Sequence, residues 1–273
     1  MIRTTDGLLL YTRAWEPAGE VKGRVLLVHG YADHSGRFEH VASALNDVGL
    51  AVDAFDWRGH GRSEGPRAYV DAFQTWLDDL AVVYQAVRAS AGQLPVFLMG
   101  HSGGGLQAAA FALRNRPDLA GVVLSSPALK ISEDISPVLQ RLSGVVARIA
   151  PTLKTVTLDA SAVSRDSAVV QAYKADPLVY HEGTKAATGH AFIAGTKWVE
   201  QHAASFRYPL YVFHGSADRL TDPAGSKAFV AQASSSDKTL RIFEGLYHET
   251  MNEPEQAQVL AELQDWFRSR SGL

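Results

Sequence analysis

The sequence predicts an α/β fold: a mostly parallel central sheet flanked by helices, with a mainly helical insertion. Two observations carry this. Short apolar runs alternate with amphipathic helical patterns along most of the chain, and those runs lack the strict in–out alternation of a sheet with one wet face. A third, the loss of that alternation over residues 128–205, marks the insertion.

The strand-like runs are "RVLLVHG" (24–30), "LAVDAFD" (50–56), "PVFLMG" (95–100), "GVVLSS" (121–126), "PLYVFHG" (209–215) and "TLRIFEG" (239–245). Each is bounded by Gly, Asp, Ser or Pro, as buried parallel strands are. The earlier "LLLYTRAWEP" reads as an antiparallel edge strand. Between the runs, Phe38, Val41, Ala42 and Leu45 share one helical face. Phe73, Trp76, Leu77, Leu80, Val83, Tyr84 and Val87 share another, and Val259, Leu260, Leu263, Trp266 and Phe267 a third. Strand–helix alternation of this kind implies a sheet covered on both sides, with ligands at the carboxyl ends of its strands. The core is expected from residues 1–127 and 206–273. Residues 128–205 are expected to form a cap, or lid, over its functional edge. In that insertion Ile135, Val138, Leu139, Leu142, Val145, Val146 and Ile149 recur at helical spacing.

Composition narrows the function. The 273 residues are 46% hydrophobic and 20% charged, with a formal net charge of −3 and no block of Lys or Arg. A nucleic-acid partner needs a basic footprint, which is absent. The chain has no cysteine, which removes disulfides, thiolate catalysis and Cys-type zinc sites. The only N-terminal apolar run, Leu8–Leu10, is too short for a signal-peptide core, and no stretch reaches the length of a membrane span. A cytoplasmic location is the expectation, with peripheral membrane contact left open.

The chemistry lies in "GHSGGG", Gly100 to Gly105. By itself G-x-S-x-G is a weak signal. Here it follows the run "PVFLMG" and precedes the helical "GGGLQAAAFALRN", the strand–turn–helix context of a nucleophile elbow. A serine nucleophile also needs a base and a carboxylate to orient it, in chain order Ser, acid, His. Asp218 lies three residues past Gly215, and His248 three past Gly245, each on a loop after a strand run. Among competing residues, Asp222 precedes Pro223 as helix starts often do, and His214 sits inside a strand run. His101 should point away from the nucleophile, and His60 should shape its loop. Backbone N–H groups of Gly103 and of Tyr31, after the strand ending at His29–Gly30, are the expected oxyanion donors. No H-E-x-x-H or Walker A occurs, and "GHGRSEG" (59–65) misses G-x-G-x-x-G at Glu64. No cofactor and no metal is called for.

With these residues in place, the chain resembles the monoacylglycerol lipase and lysophospholipase group of the α/β-hydrolase fold. The resemblance rests on "HGYADHSGRF" (29–38), "DWRGHGRSEGPR" (56–67), "GHSGGG", "SRDSAVVQAYKADPLV" (164–179), "HGSADRLTDPAGS" (214–226) and "GLYHETMNEPE" (245–255). It implies a Ser102–Asp218–His248 triad, an oxyanion hole at Tyr31 and Gly103, and hydrolysis of a monoacylglycerol, a small lipid ester. It further implies that Asp33, Arg37 and Tyr173 hold the glycerol end, and that the helix over 135–150 docks on a membrane or micelle. A carboxylesterase or lysophospholipase would use the same residues, and a non-catalytic binding protein on this fold is the alternative of a different class. A dehalogenase or epoxide hydrolase of this fold would carry Asp at position 102.

Two departures stand out. The group's usual G-H-S-M-G-G has Gly103 in place of Met, which predicts a looser turn and a wider acyl pocket. Some relatives carry a second His where this chain has Met251, which predicts a changed glycerol site.

Overall fold

The computed structural model describes residues 1–131 and 136–270. Ile135, and the side chain of Leu139 in the expected lid helix, lie outside what it describes. The strands are β1 (Ile2–Arg3), β2 (Leu9–Leu10), β3 (Thr12–Trp15), β4 (Gly23–Val28), β5 (Leu50–Phe55), β6 (Val96–His101), β7 (Gly121–Ser125), β8 (Leu210–Gly215) and β9 (Lys238–Phe243). The α-helices are α1 (Glu39–Asn46), α2 (Phe73–Ala91), α3 (Gly103–Asn115), α4 (Pro137–Ile149), α5 (Ser167–Ala175), α6 (Ala186–His202), α7 (Pro223–Gln232) and α8 (Gln256–Arg268).

Seven strands form the main sheet, in the order β3-β5-β4-β6-β7-β8-β9. Only β3 runs antiparallel, pairing Thr12 with Phe55 and Trp15 with Val52 at the edge. The segment read as one edge strand divides at Tyr11. Leu9–Leu10 instead pair with Ile2–Arg3 in a separate ribbon. The cause is hydrogen bonding from the loop after β5: Leu9 N–H donates to the Glu64 carboxylate (2.8 Å) and Tyr11 N–H to the Ser63 hydroxyl (2.8 Å).

The apolar strands feed two cores. In β4, Val25 and Leu27 join one cluster with Val41 and Leu45 of α1 and Val259, Leu263 and Trp266 of α8. Leu26 and Val28 point the other way, among Trp76, Leu77 and Leu80 of α2, Leu106 of α3 and Phe229 of α7. Alternate residues on opposite faces, both buried, explain why the runs show no polar alternation. Asp79 is the polar exception on the buried face of α2, and Arg58 meets it with two hydrogen bonds of 2.6 and 2.7 Å. That pair anchors the "DWRGHGRSEG" loop to the body.

Between β7 and β8 lie α4, α5 and α6. Helix α6 sends Ala191 and Val199 into the core shared with α2 and α3. Helix α4 packs against α6, with the Ser143 hydroxyl 2.9 Å from His190 Nδ1. Its outer face is bare: Val138, Leu142, Val145 and Ile149 are 50–78% exposed. Among the described residues no helix is long and apolar enough to cross a membrane.

Candidate active site

β6 ends at His101 and α3 begins at Gly103, so Ser102 alone makes the turn, at φ 55° and ψ −120°. A non-glycine residue in that region is strained and persists only where its surroundings leave no alternative. Two glycines provide the surroundings. A Cβ on Gly104 would lie 2.2 Å from the Val28 carbonyl oxygen and 2.3 Å from that of His29, and one on Gly100 would lie 2.3 Å from the Gly104 oxygen. The end of β7 completes the clamp: Ser102 N–H donates to Ser125 O (2.9 Å), and Ala128 N–H donates to Ser102 O (3.0 Å).

The expectation of a wider acyl pocket at Gly103 is corrected by the packing. A Cβ there would already touch the Phe192 ring at 3.0 Å and the Trp57 ring at 3.1 Å. Aromatic rings thus fill the space toward which a larger residue would point, and Phe192 itself lines the cavity beside Ser102.

Tyr31 follows β4. His29 shapes this turn, with Nδ1–H donating to Gly30 O (2.7 Å) and Nε2 accepting from Trp57 N–H (3.0 Å). Ala32 adopts a left-handed φ of 68°, and its carbonyl accepts from Tyr180 N–H at 2.8 Å, which ties the loop to the insertion. Tyr31, Ser102, Gly103 and His248 line one cavity of about 160 Å³.

Asp218 and His248 follow β8 and β9. His248 Nδ1–H donates to Asp218 Oδ2 at 2.7 Å. The same oxygen accepts from His214 Nε2–H (3.0 Å) and lies 2.8 Å from the Thr221 hydroxyl, while Oδ1 accepts from the Leu220 and Thr221 N–H groups (2.7 and 3.0 Å). Burial would raise this carboxyl, but the charge on His248 and the bonds from His214 and His248 hold it far below the usual carboxylate range. Burial likewise opposes charge on His248, yet the Asp218 carboxylate, by charge and hydrogen bond, keeps it above the ordinary histidine value.

None of the competitors takes the place of Asp218 or His248, but His101, expected to point away from Ser102, lines the same cavity. Asp222 caps α7, accepting from Ala224 N–H (2.8 Å) ahead of Pro223, and pairs with Lys130 at 2.6 Å. His214 is fully buried in β8, but it touches the acid itself, with Nδ1 accepting from the Ser226 hydroxyl at 2.7 Å. His101 bonds the Ser125 hydroxyl (3.1 Å) and packs its ring 4.8 Å from that of His248; burial pushes it down to about 3. His60 bonds Arg58 O within its loop at 2.9 Å, and burial pushes it to about 3 as well.

Asp33 and Tyr173 line the cavity; Arg37 stands behind them. Its guanidinium is held by Glu249 through two 2.7 Å hydrogen bonds, lies 3.2 Å from Asp33, and covers the Tyr173 ring at 4.7 Å. Burial disfavours that charge, and Asp33 and Glu249 more than restore it. Glu249, unremarked in the sequence, lines the cavity directly after His248; burial would raise it, but Arg37 keeps it low. Its signal was the pair "HE", which without burial data reads as a surface charge. Met251 packs into the core of α1 and α8. Ala128, Leu158, Val163, Phe192 and Leu220 supply the cavity's apolar lining. Among the described residues no cluster of His, Asp or Glu is arranged to hold a metal.

Residues 19–255 match the family model described as serine aminopeptidase, S33. The chain is 40% identical to a monoacylglycerol lipase of Mycolicibacterium smegmatis, across 96% of this chain and 94% of that one. The chain belongs to the monoacylglycerol lipase group of the α/β-hydrolases. Human monoglyceride lipase is 35% identical over 97% of this chain and 89% of its own. The crystal structure of the Paleococcus ferrophilus monoacylglycerol lipase superposes with a TM-score of 0.87 at 31% identity, covering 96% and 99% of the two chains.

For this member of the lipase group, an NMR titration of His248 should give a midpoint above the ordinary histidine value of 6.5. Asp218→Asn should lower it, because the neutral amide no longer favours the imidazolium. A wild-type midpoint at or below 6.5 would contradict the electrostatic description.

Proposed function

We propose that this chain is a serine hydrolase that cleaves monoacylglycerols to glycerol and free fatty acid through an acyl-enzyme. One observation carries the reading: Ser102, on a strained turn, shares a cavity with His248, whose Nδ1 is 2.7 Å from Asp218. His248 takes the Ser102 proton as Oγ attacks the ester carbonyl. The N–H groups of Tyr31 and Gly103 stabilise the oxyanion. His248 then protonates the leaving glycerol oxygen, and a water activated by the same imidazole releases the fatty acid and restores Ser102. The apolar lining takes the acyl chain. Asp33 and Tyr173, with Arg37 behind them, face the glycerol hydroxyls.

Residues 128–205 act in this scheme as a cap. The bare face of α4 continues into the exposed Leu153 and Val156, and Arg141 and Arg148 flank it. An exposed apolar helix face of this kind suits contact with the lipid surface that holds the substrate. A double change, Val145→Glu with Ile149→Glu, should reduce co-sedimentation with phospholipid vesicles and turnover of vesicle-borne substrate, while leaving hydrolysis of a soluble p-nitrophenyl ester unchanged. Undiminished vesicle binding would remove the membrane role.

The reaction is tested on one panel: monoacylglycerols of several chain lengths, a diacylglycerol, a lysophospholipid and short p-nitrophenyl esters. Monoacylglycerols should be preferred, and Ser102→Ala should lower kcat by roughly 10⁴-fold or more. Preference for short esters alone would make the protein a carboxylesterase. Near-wild-type turnover by Ser102→Ala would overturn the mechanism.

A further inference from the structure

Glu249 lies at the join between the triad and the polar wall of the cavity. It follows His248 directly and is 5% exposed. Its two oxygens accept from the two terminal nitrogens of Arg37 at 2.7 Å each, and Oε2 also accepts from Asn252 Nδ2 at 2.8 Å. Asp33 meets the same guanidinium at 3.2 Å. Two carboxylates on one guanidinium leave one negative charge, in a site shielded from water. Asp218 adds a second while His248 is neutral. No Lys or Arg is among the described residues lining the cavity, Lys174 lying in a neighbouring pocket that shares Leu158 and Tyr173 with it, and His101, packed against His248, is kept neutral by burial.

Buried ion clusters cost desolvation that a well-packed apolar group would not, so this one calls for a role beyond stability. Position suggests which. His248 must protonate the departing alcohol, so the alcohol lies beside it and hence beside Glu249. Of the apolar lining, Phe192 packs on the Tyr31 ring (centroids 5.4 Å), whereas Val163 adjoins the acid, its carbonyl accepting from Glu249 N–H at 2.8 Å.

We infer that Glu249 is a specificity-determining residue that makes the alcohol side of the cavity anionic, so that neutral glycerol esters are accepted and acylglycerols bearing a phosphate are rejected. The inference rests on the monoacylglycerol reading above and sharpens it. Hydroxyl groups can donate to carboxylates, whereas a phosphate needs the kind of cation that here is already engaged by two acids. Like charge brought into a poorly solvated site is strongly repelled, which is discrimination by exclusion of the wrong partner.

The test compares kcat/KM for a short-chain 1-acylglycerol and for the same acylglycerol bearing a 3-phosphate, both below their aggregation concentrations. Wild type should favour the neutral ester by about a hundredfold or more. Glu249→Gln, which keeps the shape and removes the charge, should narrow that ratio by about tenfold or more, chiefly by improving the phosphate substrate, and Glu249→Asp should retain the discrimination. Should Glu249→Gln lose its native circular dichroism, Asp33→Asn removes the other charge and should narrow the ratio likewise. An unchanged ratio in the folded charge-removed variant would overturn the inference while leaving the lipase reading intact. A wild type that hydrolyses short p-nitrophenyl esters but neither acylglycerol would overturn both.

Discussion

The close approach of Gly104 to the end of β4 is the contact on which the site depends. The first turn of α3 lies against the carbonyls of Val28 and His29 with no room for a methyl group. The same residues lead directly into the loop that carries Tyr31, so one contact sets the spacing between the two backbone segments facing the cavity. Flanking this contact, Ser102 has a strained φ and Ala32 a left-handed one. Each is tolerated because hydrogen bonds to fixed neighbours, Ser125 and Ala128 on one side and Tyr180 on the other, leave the chain no relaxed alternative.

Electrostatics then divides the ground around His248. On one side Asp218 is saturated with donors, so its charge is held permanently and the imidazole is oriented by a carboxylate that cannot turn away. On the other, Arg37 binds Asp33 and Glu249 together and lies under Tyr173. The histidine thus sits between two anionic centres that differ in purpose: one orients the base, and the other faces what the base must protonate. His214 and Thr221 belong to the first centre, extending the hydrogen-bond network into β8 and the start of α7.

Much of this was legible in the sequence because it is written in local pattern. The main-sheet strands fall within a few residues of the runs that signal them, and the buried faces of α1, α2 and α8 match their spacing. The strand–turn–helix setting of Ser102 and the loops of Asp218 and His248 were readable for the same reason. What escaped depends on distant partners. The edge segment divides at Tyr11 because side chains of Ser63 and Glu64, more than fifty residues away, take its amides. Glu249 gives no decisive local signal, because its partner Arg37 is brought to it across the fold from more than two hundred residues away. Gly103 suggested empty space, and Phe192 from α6 occupies it.

The central claim is that the fold turns Ser102 into an activated nucleophile. The most direct measurement is reaction of the intact protein with a long-chain fluorophosphonate, with the adduct located by mass spectrometry of the digested chain. The account predicts one equivalent of label on Ser102, with labelling slowed by orders of magnitude in His248→Ala. Labelling of another residue, or an equal rate without His248, would contradict it.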